Sequence, residues 1–258
     1  MRSRPKAPVL WLSGGLIAGI VVLVILATSG ALAGGSPKAA VSKRPTPSEA
    51  LSTPTATPIP TSGTQQPVTQ RFDIDSPSSI TVVVNKQRPL QPRDYEPSDL
   101  VDVDVPHTWA PKLRAVAAAA VVEMFAAAKA EAGLTLASNS AYRSYSSQQS
   151  IYDGNDALTA RPGYSEHQTG LAIDIGASSG RCSLASCFAD TPEGEWLAAN
   201  AYRFGFILRY PKGLESVTGY EFEPWHYRYV GTEVAADMRE RKVPTLEDYF
   251  GLTAAPSY

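Results

Sequence analysis

Cysteine and histidine are both scarce in this sequence of 258 residues, which holds two cysteines and three histidines. Two cysteines cannot build a Cys-rich zinc site or a multi-disulfide scaffold. Any imidazole chemistry must use His107, His167 or His226. Positive charge is short in the body of the chain: residues 71–258 carry 17 Lys/Arg against 24 Asp/Glu. Such an acidic body argues against nucleic acid, whose binding rests on cationic contacts to phosphate. Charge of either sign is missing between Lys6 and Lys38, and aromatic residues are missing from 34–70. The overall composition, 43% hydrophobic and 19% charged, excludes collagen, coiled coil and full-length disorder. Residues 71–258 contain no internal repeat.

What is present begins with a basic flank, Arg2, Arg4 and Lys6, followed by an apolar segment from Val9 to Ala33. It is long enough to cross a bilayer as a helix, which takes about 20 residues. Ala31-Leu32-Ala33 fits a signal-peptidase site, while the length of the apolar run favours a retained single-pass anchor. Either way the basic flank stays in the cytoplasm and the rest of the chain is exported. Residues 34–70 hold 7 prolines and 12 Ser/Thr and read as a disordered linker. As a coil it spans roughly 30 Å, a tether between membrane and domain.

From Arg71 the composition becomes globular. Ile80 to Val84 reads as a strand ending in a turn at Asn85-Lys86. Thr108 is a candidate N-cap for a helix from Pro111 to Ala132, with Leu113, Val116, Ala120, Val121, Met124 and Phe125 at helical spacing and Gly133 as its stop. Leu134 to Leu136 reads as a short strand. Ser146 or Ser147 caps a helix through Tyr152, Glu193 to Tyr202 forms another, and Phe206 to Tyr210 is a strand. Helices and strands mix without a regular βαβ repeat, so the fold class is α+β in one domain spanning 71–258. In an exported chain Cys182 and Cys187 should pair. So short a ring stabilises by only about 2 kcal/mol. Its expected role is to pin a loop close to Asp174.

Two histidines keep unusual company. His167 lies upstream of Leu171, Ile173 and Ile175, which alternate with Ala172 and Asp174 as in a strand with one apolar face. A carboxylate in mid-strand needs a partner or a cation. The Gly170 turn lets His167 fold back toward Asp174. In Glu223-Pro224-Trp225-His226 the two chemical residues face opposite ways on a perfect strand, and a bend around Pro224 brings them to one site. Two imidazoles and one carboxylate leave zinc a fourth position, the pattern of catalytic zinc, and the unligated carboxylate is then a proton acceptor. Hydrogen-bonded core histidines are the competing reading of each one alone. Trp225 and Tyr227 read mainly as packing residues.

The spacing Ser165-x-His167-x-x-Gly170-x-Ala172-x-Asp174 with Glu223-x-x-His226 resembles the signature of the LAS group of zinc peptidases, and in particular VanY-type D-alanyl-D-alanine carboxypeptidases. Ser140 to Tyr145, Gly163 to Gly176, Phe204 to Lys212 and Glu223 to Gly231 look like that family, so the resemblance spans most of 80–231. It implies a small, mainly antiparallel sheet flanked by helices. It also implies Zn²⁺ held by His167, Asp174 and His226, with Glu223 as general base. Arg143 matches the family's active-site arginine, Gln148 a polar residue of the substrate pocket, and Ser165 faces that pocket. The implied activity is removal of the C-terminal D-alanine from peptidoglycan stem peptides without a covalent intermediate. A guanidinium suits either the terminal carboxylate or the oxyanion. A D,D-dipeptidase, an L,D-peptidase and a non-catalytic wall-binding module are the alternatives. The expected partners are the stem peptides and, through residues 9–33, the membrane; no protein partner is predicted.

Overall fold

The computed structural model describes residues 71–258. The expected membrane segment and linker lie outside the described residues. Among the described residues no helix is long and apolar enough to cross a membrane.

Among the described residues, six short strands form two antiparallel sheets, giving the expected α+β class. In the smaller one, β1 (Leu100–Asp102) pairs with β2 (Lys112–Arg114). The larger has the order β3-β4-β6-β5, with β3 Leu136–Ser140, β4 Ala172–Ala177, β5 Phe206–Leu208 and β6 His226–Tyr229. The interior strands are buried on both faces. Leu171, Ile173 and Ile175 pack into the apolar core with Val121, Met124 and Phe206, while Asp174, His226 and Arg228 make up a polar interior on the other side.

The long helix α1 spans Ala115–Ala132, and its alanines let it lie close on the core through Ala117, Val121, Met124 and Ala128. It begins four residues later than the sequence predicts, because Lys112 to Arg114 are taken by pairing with β1. Thr108 is not its cap: the Thr108 hydroxyl donates to Asn139 instead. Gly133 ends the helix as expected, at φ 70°, donating its N–H to the Lys129 carbonyl. Helix α2 (Tyr145–Ile151) is capped by Ser144, whose hydroxyl accepts from the Ser147 N–H at 3.2 Å, in place of the expected Ser146 or Ser147. Helix α3 (Pro192–Asn200) is capped by Thr191. Three further helices, α4 (Glu215–Thr218), α5 (Thr232–Arg241) and α6 (Leu246–Tyr249), follow.

Ile80 to Val84 is not a strand. Val82, Val83 and Val84 are buried as a β-branched run should be. Three carbonyls of the run, however, face guanidinium groups: Arg228 donates to Ile80 and Val82, and Arg88 to Val83. With those acceptors taken by side chains the segment has no need of a neighbouring strand. Cys182 and Cys187 are joined as a disulfide.

Candidate active site

Antiparallel register assembles the site. Asp174 of β4 lies opposite His226 of β6 on one side and Ser140 of β3 on the other. His167 enters from a single 3₁₀ turn, Glu166–Thr169, that ends at Gly170 in the left-handed region (φ 67°). A side chain at Gly170 would place its Cβ 2.8 Å from Leu100, so the turn that swings His167 over β4 depends on glycine. Glu223 arrives through a tight turn in which the His226 N–H donates to the Glu223 carbonyl at 3.1 Å. That turn is the bend expected around Pro224, and it folds Glu223 Oε2 to 3.6 Å from His226 Nδ1.

The tautomers follow from the partners. His167 Nδ1 lies 2.7 Å from the Ala141 carbonyl, which can only accept, so Nδ1 carries the proton and Nε2 presents a lone pair. That Nε2 is 3.3 Å from Asp174 Oδ2. His226 has the opposite arrangement. Its Nε2 faces the Glu166 carboxylate at 3.4 Å, leaving Nδ1 directed at Asp174 Oδ1, 3.2 Å away. One donor atom from each of His167, Asp174 and His226 lies within 4.8 Å of the others. All three residues are buried, and Asp174 Oδ1 has no hydrogen-bond donor. Two lone pairs and a carboxylate converging without a donor call for a cation, and two imidazole nitrogens with one carboxylate oxygen suit zinc.

The side chains record the same demand for positive charge. Burial disfavours the charged form of His226, yet the Asp174 and Glu166 carboxylates more than reverse this and raise its pKa to about 9, so that where no cation competes for Nδ1 a second proton takes that place. Burial also works against the Asp174 anion, but His167 and His226 hold its pKa well below the usual carboxylate range. Glu223 differs: burial, only partly offset by His226, pushes it up to about 8. A carboxylate poised near neutrality beside the three ligands is placed to accept and return a proton.

Arg143 stands at the other side of the cleft. Its Nε donates to Gln148 Oε1 at 2.6 Å and its Nη1 to Ser140 Oγ at 3.3 Å. Gln148 is fully buried, and its amide nitrogen donates to the Ala160 carbonyl at 2.7 Å. It therefore lies behind Arg143 and fixes the guanidinium from below. Ser165, by contrast, lines the cleft with Tyr210, Tyr220 and Trp225. The cleft encloses about 300 Å³ and contains all three candidate ligands, Glu223 and Arg143. A larger cavity of about 590 Å³ is lined by apolar residues such as Leu197, Ile207 and Met238 and holds no comparable constellation. The third histidine, His107, is exposed and its Nδ1 meets the Val105 carbonyl.

The sequence reading missed the charges behind the site. Glu166 accepts from Arg209 Nε at 2.8 Å and from Arg228 Nη1 at 2.9 Å. Arg209 also makes a bidentate pair with Glu247 at 2.7 and 2.9 Å. All four side chains are fully shielded from solvent. The available signal was an arginine inside each of two otherwise apolar or aromatic stretches, Phe206 to Tyr210 and His226 to Tyr229. A buried cation demands a buried anion.

An α+β domain with such a cleft has the form of a hydrolytic metal-site enzyme, and comparison with known proteins agrees. Residues 110–232 match the profile of VanY, D-alanyl-D-alanine carboxypeptidase. The Bacillus subtilis (strain 168) protein named "Putative carboxypeptidase YodJ" is 46% identical over 191 residues, 69% of each chain. Among solved structures, the LdcB LD-carboxypeptidase is 44% identical with a TM-score of 0.64, covering 69% of this chain and 88% of that one. A vancomycin-resistance D,D-pentapeptidase VanY in complex with Zn(II) is 32% identical with a TM-score of 0.55, covering 65% and 97%. The chain belongs to the VanY family of D-alanyl-D-alanine carboxypeptidases. It is an enzyme, a peptidase.

Proposed function

We propose that this protein is a zinc-dependent D,D-carboxypeptidase that removes the C-terminal D-alanine from peptidoglycan stem peptides. The observation that carries the reading is the convergence of His167 Nε2, Asp174 and His226 Nδ1 beside an unligated Glu223. His167, Asp174 and His226 would hold zinc, which supplies a Lewis acid for the scissile carbonyl and acidifies water. Glu223 takes the proton of the attacking water and returns it to the leaving amine. Arg143, held rigid by Gln148 and Ser140, faces the substrate with its remaining donors and binds the terminal carboxylate or the oxyanion. Ser165 lies on the substrate side of the same cleft. Glu166 keeps the Nε2 proton of His226 in place, so that Nδ1 remains the ligand atom.

A second reading has its own support. Identity is higher to the L,D-carboxypeptidase than to the D,D-pentapeptidase, 44% against 32%. Incubating the zinc-loaded protein with defined stem pentapeptide and tetrapeptide, followed by mass spectrometry, separates the two. Loss of one alanine from the pentapeptide supports the D,D reading, and loss from the tetrapeptide alone supports the L,D one. No cleavage of either defeats both.

We place the peptidase domain outside the cytoplasm, tethered through residues 9–33. The bonded cysteine pair fits an oxidising compartment. Alkylation of protein taken from its native compartment, without reductant, should label neither thiol; ready labelling of both overturns this placement.

A further inference from the structure

The described residues expose seven large hydrophobic side chains, and three of them, Ile151, Leu158 and Leu184, line the cleft. Clustering of that kind marks a binding surface, whereas scattered exposed apolar residues carry no message. The three come from separate segments. Ile151 is the last residue of α2, Leu158 lies two residues before the Ala160 carbonyl that holds Gln148, and Leu184 sits in the ring closed by the disulfide.

Leu184 is held there against its own preference. Its backbone is in the left-handed region at φ 51°, and Cys182, two residues earlier, is at φ 54°. A bulky side chain seldom adopts that conformation, and it persists only where the surroundings enforce it. The surroundings here are specific. The loop that carries the ring leaves β4 after Ala177, turns through hydrogen bonds from Ser183 to the Gly180 carbonyl and from Ala185 to the Cys182 carbonyl, and is anchored at its return by fully buried Phe188. The disulfide joins the two ends of this turn.

We propose that Leu184 is a specificity-determining residue: the disulfide ring presents it to the cleft, where with Ile151 and Leu158 it packs on an aliphatic side chain of the bound wall peptide. This deepens the reading of the cleft as a peptidase site and rests on it. The occupant follows from continuity with that site. A peptide entering between Arg143 and the His167–Asp174–His226 cluster must pass the rim, and the rim offers carbon surface in place of charge.

The test is binding to the full-length, zinc-loaded Glu223→Gln protein, read by calorimetry. Two peptides are compared, Nα,Nε-diacetyl-L-lysyl-D-alanyl-D-alanine and acetylglycyl-D-alanyl-D-alanine. The same pair is run one D-alanine shorter, so that the ratio within a length reports on the rim whichever length the enzyme cleaves. The lysyl peptide should bind more tightly. Leu184→Asn retains a residue tolerant of the left-handed region but removes the apolar contact, and it should lower the lysyl-to-glycyl preference by about tenfold. Cys182→Ser/Cys187→Ser, which frees the ring, should lower it in the same direction. Zinc content measured on each variant reports whether the neighbouring site is intact. Equal or absent binding of the two peptides, or a preference that Leu184→Asn leaves unchanged, overturns the proposal. Failure of cleavage in the unsubstituted enzyme, with the binding preference and its loss still present, would defeat the catalytic reading alone.

Discussion

On one side of the His226 ring stands Asp174, and on the other Glu166; the two carboxylates belong to buried clusters of opposite character. Behind the ring, Glu166, Arg209, Glu247 and Arg228 balance two anions with two cations, and their charged groups are mutually hydrogen-bonded. In front, Asp174, His167, His226 and Glu223 offer acceptors without a matching set of donors, and Asp174 Oδ1 has none. Burial is nearly the same in both. The difference lies in whether the protein supplies its own counter-charge. A cluster that does so is structural, because a buried anion and a buried guanidinium satisfy each other. A cluster that does not is arranged for something brought from outside.

The comparison breaks most completely at the shared residue. His226→Ala should abolish stoichiometric zinc, measured by elemental analysis of the purified protein; zinc retained at full occupancy would remove His226 from the ligand set. Within the front cluster, Glu223→Gln should keep zinc and fold while kcat falls by about 10²–10⁴. Near-normal turnover in that variant would exclude the proton-transfer role. Behind the ring, Arg209→Met should act on stability first. It strands Glu247 and half of Glu166, at a cost of about 3–5 kcal/mol in urea unfolding. Glu166→Gln lies between the clusters and should weaken zinc by about tenfold to a hundredfold in a chelator competition, with a smaller effect on unfolding. Loss of stability without loss of metal affinity would make Glu166 purely structural.

The smallest effect concerns acid. Burial alone would raise the pKa of Glu247, but Arg209 reverses this and holds it below its ordinary 4.5. A carboxylate depressed in the folded state contributes stability that is fully present above about pH 4.5 and is lost as pH falls through the folded value. Melting temperature should therefore drop on acidification below about pH 4.5, and Glu247→Gln should flatten that part of the curve. An unchanged acid limb would show that the pair with Arg209 adds nothing to folding.

Much of the front cluster was legible in the chain. His167, Asp174, Glu223 and His226 stand out because the sequence has so few histidines and places two of them at short spacing from carboxylates. Gly170 was legible as the turn between ligands, and Gly133 as the helix stop. Gln148 was expected, by resemblance, as a polar residue of the substrate pocket; its burial beneath the Arg143 guanidinium was not legible. Residues 80–84 read as a strand from their β-branched composition, and the structure buries the valines without making them one. The carbonyls of Ile80 and Val82 are claimed by Arg228, a residue nearly 150 positions away, and no local pattern carries that information.

Sequence by itself thus determined the α+β class, the body of the long helix, the alternation along β4, the candidate site residues and the cysteine pair, since each is marked by residues within a few positions. Only the tertiary structure decided which nitrogen of each histidine faces Asp174, because that depends on the Ala141 carbonyl and Glu166 reached through folding. It also decided that Arg209 and Arg228 are interior residues. An arginine in or just after a short strand is equally compatible with solvent and with a buried carboxylate, and the choice is made by Glu166 and Glu247 arriving from distant segments to replace its water.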